Sequence, residues 1–147
     1  MSKPHMRMRE KKILRIGAKA LIPFILLFAF YVQFHGDFGP GGGFQAGVIG
    51  AAALVLYGLI YGLDEVQRVA PPRFVEIGMA IGVLLYGLTG VASMFLHGNF
   101  LDYNVLDHHD PTHGQHLGIL LVEGGVGIAV WCTMTTLYYQ FAQRGRP

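Results

Sequence analysis

The chain has 147 residues, of which 52% are hydrophobic and only 14% are charged, whereas a soluble domain carries about 25% charged residues. The net charge is only +2, and the chain lacks the basic stripe with interleaved aromatic side chains that a nucleic-acid-binding protein shows. One cysteine cannot form a disulfide framework. The composition therefore predicts a single membrane domain over residues 1–147.

Four long apolar runs predict an all-α membrane protein, because about 20 apolar residues are needed to cross the hydrocarbon core. We expect the transmembrane helices at about 13–34, 44–63, 74–96 and 117–141. Pro23 can kink the first helix, and Pro71 with Pro72 prevents the second helix from running into the third. Glu76 falls in the first turn of the third helix, where Arg73 can pair with it.

The basic residues all lie on one predicted side of these helices. Seven precede or open the first helix, two lie between the second and the third, and two follow the fourth: Lys3, Arg7, Arg9, Lys11, Lys12, Arg15, Lys19, Arg68, Arg73, Arg144 and Arg146. The connections 34–44 and 97–116 contain neither Lys nor Arg. Because basic loops stay in the cytoplasm, we predict both termini inside, with residues 1–12 as a basic cytoplasmic tail.

Small residues recur at a spacing of four along the predicted helices. The pairs are Gly47/Ala51, Gly58/Gly62, Gly78/Gly82 and Gly125/Ala129. Such faces let two helix backbones approach closely in a membrane. Two interpretations stay open, namely packing within the four-helix bundle and docking against other membrane subunits.

Glu123 is the most informative single residue, since it interrupts the apolar run 118–130. Counted from Gly114, its position is about 13 Å along the last helix, which places it inside the hydrocarbon. A carboxyl group at this depth costs free energy and by default indicates an ion or proton role. The alternative is a protonated, purely structural carboxyl that forms a hydrogen bond to a neighbouring helix.

The glycine-rich connection between the first two helices includes His35, Asp37 and Pro40. Its glycines disfavour regular structure and permit positive φ, and it lacks the Lys and Ser or Thr of a phosphate loop. It is either a tight turn or a segment that dips into the bilayer behind other protein. Asp37 and His35 are candidates for lining a water or ion path, or they are simply solvated.

The connection 97–116 carries five His and three Asp without an opposing base. A transition-metal site, haem ligation, an acidic vestibule that attracts cations and a solvated loop are all open interpretations. His109, His113 and His116 have helical spacing, but Pro111 is expected to interrupt that helix. We therefore predict no metal and no cofactor.

The residues Pro40, Gly41, Gly42, Gly43 and Phe44, which lead directly into a helix, resemble the signature of the MnhB-like family, a small membrane component of multisubunit Mrp-type Na⁺/H⁺ antiporters. The run 118–123, which ends at Glu123, is similar to the last helix of that family. The resemblance covers about 13–139. Related subunits occur in membrane-bound hydrogenases, and the His-rich connection is not part of the recognised pattern.

The resemblance implies a transporter subunit rather than an enzyme, in a multisubunit complex of the bacterial inner membrane that exchanges Na⁺ for H⁺. Its partners would be other membrane subunits, the lipid bilayer and the two ions, with no nucleic acid. By the matching motif, Gly41, Gly42, Gly43, Phe44 and Glu123 are the family-type positions. We take Glu123, Asp37 and His35 as the candidates for the ion or proton path. The alternatives are a structural or ion-path subunit of a hydrogenase-type complex, a scaffold without an ion role, and an electron-transfer anchor.

Overall fold

The structure is a computed structural model that describes residues 12–36, 41–107 and 110–144. Its helices are, in chain order, α1 Lys12–His35, α2 Gly43–Tyr61, α3 Leu63–Val69, α4 Pro72–Phe95 and α5 Pro111–Arg144, with a 3₁₀ turn at Tyr103–Leu106 before α5. The predicted all-α class is confirmed, and 88% of the structure is helical. All of these helices except α3 are long and apolar enough to cross a membrane.

The helix boundaries differ from the expected ones at two places. The second helix ends at Tyr61 because Gly62 adopts a φ of 103°, which lies in the region that glycine alone reaches easily, and the short α3 follows at once. The last helix begins at Pro111 rather than near Leu117. Pro111 opens this helix instead of interrupting it, since its missing N–H is not needed in a first turn.

Asp110 caps the start of α5 and explains why the helix begins there. Its Oδ1 accepts hydrogen bonds from the backbone N–H groups of Thr112 at 2.9 Å and His113 at 3.4 Å. A side-chain oxygen at this position satisfies donors that have no partner within the helix. As a result α5 has 34 residues and a length of about 51 Å, well beyond what the hydrocarbon requires.

The long helix α5 is the centre of the bundle, and glycines bring both α2 and α4 close to it. A Cβ added at Gly82 of α4 would lie 2.6 Å from the carbonyl oxygen of Gly125, and one added at Gly47 of α2 would lie 2.7 Å from that of Gly127. Real Cβ atoms do not approach other atoms so closely. These small residues therefore serve packing within the bundle, which is one of the two interpretations that the sequence left open.

Side chains of α5 fill the space left by other glycines. The Trp131 ring covers Gly50, the Tyr138 ring covers Gly58, and the Cys132 thiol faces Gly78. Gly62 belongs to another class, since nothing lies within 4 Å of a Cβ built there and its role is to end α2. The contacts of the central helix thus depend on pairing a large residue with a glycine, as interdigitated packing requires.

The α1 helix packs on α2 and leaves most of its surface uncovered. Ala18 is buried against Ile60 and Tyr61, and the Tyr61 hydroxyl donates a hydrogen bond to the Arg15 carbonyl oxygen at 3.0 Å. On the other side of the helix large apolar side chains are exposed, such as Phe24 at 69%. An apolar surface of this size needs lipid or another membrane subunit against it.

The connection between α2 and α4 is anchored on the end of α5. The Tyr139 hydroxyl donates to the Ala70 carbonyl oxygen at 2.8 Å, and its ring packs with Leu63, Val66 and Val75. We call this end of the bundle, with Arg15, Arg68 and Arg144, the basic end. Arg68 there pairs with Glu65 at 3.1 Å.

The expected ion pair between Arg73 and Glu76 does not form in the described part of the chain. Both side chains are exposed on α4. Exposed pairs of this kind contribute little free energy even when they form, so nothing holds the two side chains together.

Candidate functional site

The carboxyl group of Glu123 lies between two glycines at the ends of α1 and α2. A Cβ built at Gly36 would lie 3.0 Å from its Cδ, and a Cβ built at Gly42 would lie 2.9 Å from its Oε1. Any larger residue at either position would displace the carboxyl group. The half-buried Glu123 therefore lies against Gly36, which follows α1, and Gly42, which precedes α2. We call Gly36 together with Gly41–Gly43 the glycine turn.

The next glycine, Gly43, contacts the backbone of the same residue. A Cβ built at Gly43 would overlap the carbonyl oxygen of Glu123 and would lie 3.0 Å from its Cα. Three glycines from one turn thus surround one residue of α5. Gly42 also needs to be glycine for its backbone, since its φ is 144° and few other residues adopt that conformation.

The turn lies well below the start of α5. Glu123 follows Pro111 by twelve residues, which corresponds to about 18 Å along the helix axis. In that interval α5 packs against the connection 97–110, where the Tyr103 ring lies on Gly118. Gly36, Gly42 and the Glu123 carboxyl consequently lie well below the end of the bundle at which α5 begins.

The other predicted site residues have separate surroundings. His35 is exposed, and its ring stacks on Tyr31 with centroids 5.1 Å apart and an interplanar angle of 15°. Phe44 is 58% exposed, and a Cβ built at Gly41 would lie 3.2 Å from Cγ1 of Val32. Asp37 and Pro40 lie outside the described residues.

Two candidate functional residues, Gly36 and Gln33, were not predicted from the sequence. Gly36 was not distinguished from the other glycines, because only the fold shows that it meets Glu123. Gln33 has a buried Nε2 without a hydrogen-bond partner among the described residues. The signal for Gln33 was available, since a carboxamide within an apolar helix is uncommon and costly.

The described residues 97–107 and 110–113 form hydrogen bonds within the connection and to the start of α5. His113 Nδ1 and Asp107 Oδ2 lie 2.8 Å apart, and Asp102 caps the 3₁₀ turn by accepting from Asn104 at 3.3 Å. Burial, with a smaller effect of Tyr86, raises the pKa of Tyr103 above its usual 10.0. Among residues 12–36, 41–107 and 110–144, no three His, Cys, Asp or Glu side chains are grouped to hold a metal ion; His108 and His109 lie outside these ranges.

A known protein family matches nearly all of this architecture. The family described as "Domain related to MnhB subunit of Na⁺/H⁺ antiporter" matches residues 13–136, a range that contains the glycine turn and Glu123. The chain belongs to the MnhB family. The resemblance seen in the glycine signature is thereby confirmed.

Individual relatives from three bacteria agree with the family assignment. The B-type subunit of the Na⁺/H⁺ antiporter of Bacillus subtilis is 34% identical over 136 residues, which cover 84% of this chain and 94% of the relative. The putative antiporter subunit mnhB2 of Staphylococcus haemolyticus is 31% identical over 132 residues, which cover 84% of this chain and 93% of the relative. The putative antiporter subunit mnhB2 of Staphylococcus aureus strain Newman is 34% identical over 138 residues, which cover 87% of this chain and 97% of the relative.

As an MnhB family member with four candidate spans, the chain is a multi-pass bacterial membrane protein, as predicted. The relatives named above are antiporter subunits, which favours the antiporter over the hydrogenase-type alternative. Membership in the MnhB family also implies that the partners of this chain are other antiporter subunits. The uncovered apolar surface of α1 provides area for such contacts.

Proposed function

We propose that this chain is the subunit of a multisubunit Na⁺/H⁺ antiporter in which Glu123 is the carboxyl that exchanges the two ions. The observation that supports this proposal is the position of the Glu123 carboxyl between Gly36 and Gly42. Glycines at these positions leave room for the group, and a carboxyl in a membrane helix is retained at a cost in free energy.

A single carboxyl can perform the exchange because it holds one cation at a time. Protonation neutralises the group and removes its attraction for Na⁺, whereas binding of Na⁺ favours the charged form that has lost its proton. Oxygen atoms are the ligands that hard cations prefer. The exchange is transport and not a chemical conversion, so the subunit acts as part of a transporter and not as an enzyme.

His35 and Asp37 would form the approach to this carboxyl. His35 directly precedes Gly36, which contacts Glu123, and the imidazole is exposed. An imidazole can relay protons, and an aspartate attracts cations. In this proposal Na⁺ and H⁺ pass the two residues on the way to Glu123, and the ends of α4 and α5 shield the path from lipid.

The function is tested by removing and restoring this chain in its native complex. Inverted membrane vesicles that contain the complex are expected to release a proton gradient on addition of Na⁺, as followed by a fluorescent pH dye. Vesicles from cells that lack this chain should lose the response, and expression of the chain should restore it. In mild detergent the tagged chain should retain the other antiporter subunits, which mass spectrometry identifies. A full Na⁺ response in vesicles without the chain would contradict the proposal.

We also propose that both termini face the cytoplasm, because the basic end of the bundle carries Arg15, Arg68 and Arg144. The test uses single cysteines in a Cys132→Ala background. A thiol at Thr112 should react in whole cells with a membrane-impermeant maleimide, whereas one at Asp64 should react only after the membrane is opened. Both native side chains are exposed. Equal labelling of the two positions in whole cells would overturn the orientation.

A further inference from the structure

Gln33 presents a buried polar group that the proposed exchange does not use. Its Nε2 is buried and has no hydrogen-bond partner in the described part of the chain. The residue lies in α1, which is long and apolar enough to cross the membrane, where an amide without a partner is costly. An acceptor from outside the described residues is therefore expected at this position.

The carboxamide lies one helical turn from the Glu123 carboxyl. A Cβ built at Gly127 would lie 2.5 Å from the Gln33 Oε1 and 3.3 Å from the Gly43 carbonyl oxygen. Gln33 precedes Gly36 by three residues on α1, and Gly127 follows Glu123 by four on α5. These intervals correspond to about 4.5 Å along α1 and about 6 Å along α5, or roughly one helical turn in each case. The amide faces the same seam between α1, α2 and α5 as the carboxyl.

A cavity of about 300 Å³ opens beside the Gln33 amide and extends to Gly124, the residue that follows Glu123. Gln33 contributes the carboxamide of this lining and three glycines contribute backbone, while the rest is apolar or aromatic: Ala29, Phe30, Phe34, Ala46, Leu120, Ile128 and Trp131. At about 30 Å³ for each molecule in the liquid, this volume holds on the order of ten waters. Gly124 adds space, since nothing lies within 4 Å of a Cβ built there.

We propose that this cavity is an aqueous pocket through which water and a hydrated monovalent cation reach Glu123, with Gln33 as its polar anchor. Water offers the acceptor that Nε2 needs, whereas the methylene chains of a lipid offer none. Buried water requires two to four polar partners, and the Gln33 amide and the Gly43 carbonyl both lie beside Gly127, which lines the cavity. The cation step rests on the proposed function of Glu123, but the hydration of the pocket does not.

The hydration is tested by thiol accessibility in the intact complex, independently of transport. Ala46→Cys, in a Cys132→Ala background, places a small thiol at a buried position that lines the cavity. Ala53→Cys is the matched control, because Ala53 is fully buried on the same helix and does not line the pocket. We expect a positively charged methanethiosulfonate to modify Ala46→Cys at least about tenfold faster, because the thiolate that reacts needs water. Equal rates would overturn the proposal and would indicate a lipid chain or a partner helix in the cavity.

The part of Gln33 is tested with Gln33→Leu, which keeps the size of the side chain but removes the amide. Gln67→Leu is the control, because Gln67 is the other glutamine with a buried, unpartnered Nε2 in the described residues, and it lies in α3. Gln33→Leu is expected to slow the modification of Ala46→Cys and to raise the half-saturating Na⁺ concentration of antiport several-fold. Gln33→Asn should recover part of both effects, and Gln67→Leu should change neither.

Two results would overturn the role of Gln33. One is a Gln33→Leu complex with unchanged thiol reactivity and unchanged Na⁺ dependence. The other is a complex that loses its subunits in Gln33→Leu and Gln33→Asn but not in Gln67→Leu, since the amide would then bind a partner helix. If antiport does not depend on Glu123 while Ala46→Cys still reacts rapidly, the proposed function fails and the aqueous pocket stands.

Discussion

Replacement of Glu123 by Gln is expected to lower Na⁺/H⁺ antiport roughly tenfold or more while the complex assembles normally. The amide has the size of the carboxyl and fits between Gly36 and Gly42, where the available space is set by close contacts. It cannot carry the negative charge that attracts Na⁺, and it does not release a proton. The measurement is the Na⁺-induced recovery of dye fluorescence in inverted vesicles, with subunit content determined from the same membranes.

The control for this variant is Glu76→Gln, since Glu76 is an exposed carboxylate on α4 without an ion pair to Arg73. Its antiport should equal that of the unaltered complex. Full activity of Glu123→Gln with normal assembly would refute the exchange role. Glu123→Leu separates the remaining alternative, because a scaffold without an ion role would tolerate an apolar side chain of this size and would retain antiport.

The sequence was sufficient for the all-α class and the four candidate spans. Four apolar runs define these spans, because the cost of unpaired polar backbone groups in lipid leaves few other structures. Glu123 was recognisable because it is a carboxyl in an apolar run. The signature Gly41–Phe44 was recognisable as a pattern, although its physical role was not.

The position of the carboxyl between the glycines needed the fold, because it depends on contacts between residues far apart in the chain. Gly36 and Gly42 touch a residue more than 80 positions later, and no local periodicity indicates such a contact. The depth of Glu123 was estimated from Gly114 as the outer end of the last helix. That reference was inadequate, because Asp110 caps an earlier start at Pro111 and α5 protrudes beyond the glycine turn.

The start of α5 also shows how one residue can be interpreted in two ways. Pro111 breaks a helix that approaches it from the N-terminal side, but it is well suited to the first turn. The deciding feature is the preceding Asp110, whose side chain accepts from two backbone N–H groups of that turn. An Asp-Pro pair before a helical pattern is therefore better interpreted as a start than as an interruption.

Replacement of Gly43 by Ala is expected to destabilise the complex and, through it, to reduce antiport. The added Cβ would overlap the carbonyl oxygen of Glu123, and the atoms involved are backbone, which cannot rotate away as a side chain can. The start of α2 must then separate from α5. Overpacking of this kind costs about 1–3 kcal/mol, and we expect a lower midpoint for thermal loss of the assembled complex in detergent size-exclusion chromatography.

Gly87→Ala is the matched control, because Gly87 is also a glycine within a transmembrane helix and nothing lies within 4 Å of a Cβ built there. It should leave the midpoint unchanged or raise it slightly, since alanine favours the helix. An unaltered midpoint for Gly43→Ala would mean that α2 and α5 do not meet as described. Glu123→Gln and Gly43→Ala are thus expected to differ: the first removes exchange from a stable complex, and the second lowers stability and exchange together, because its added Cβ forces α2 away from α5 at Glu123.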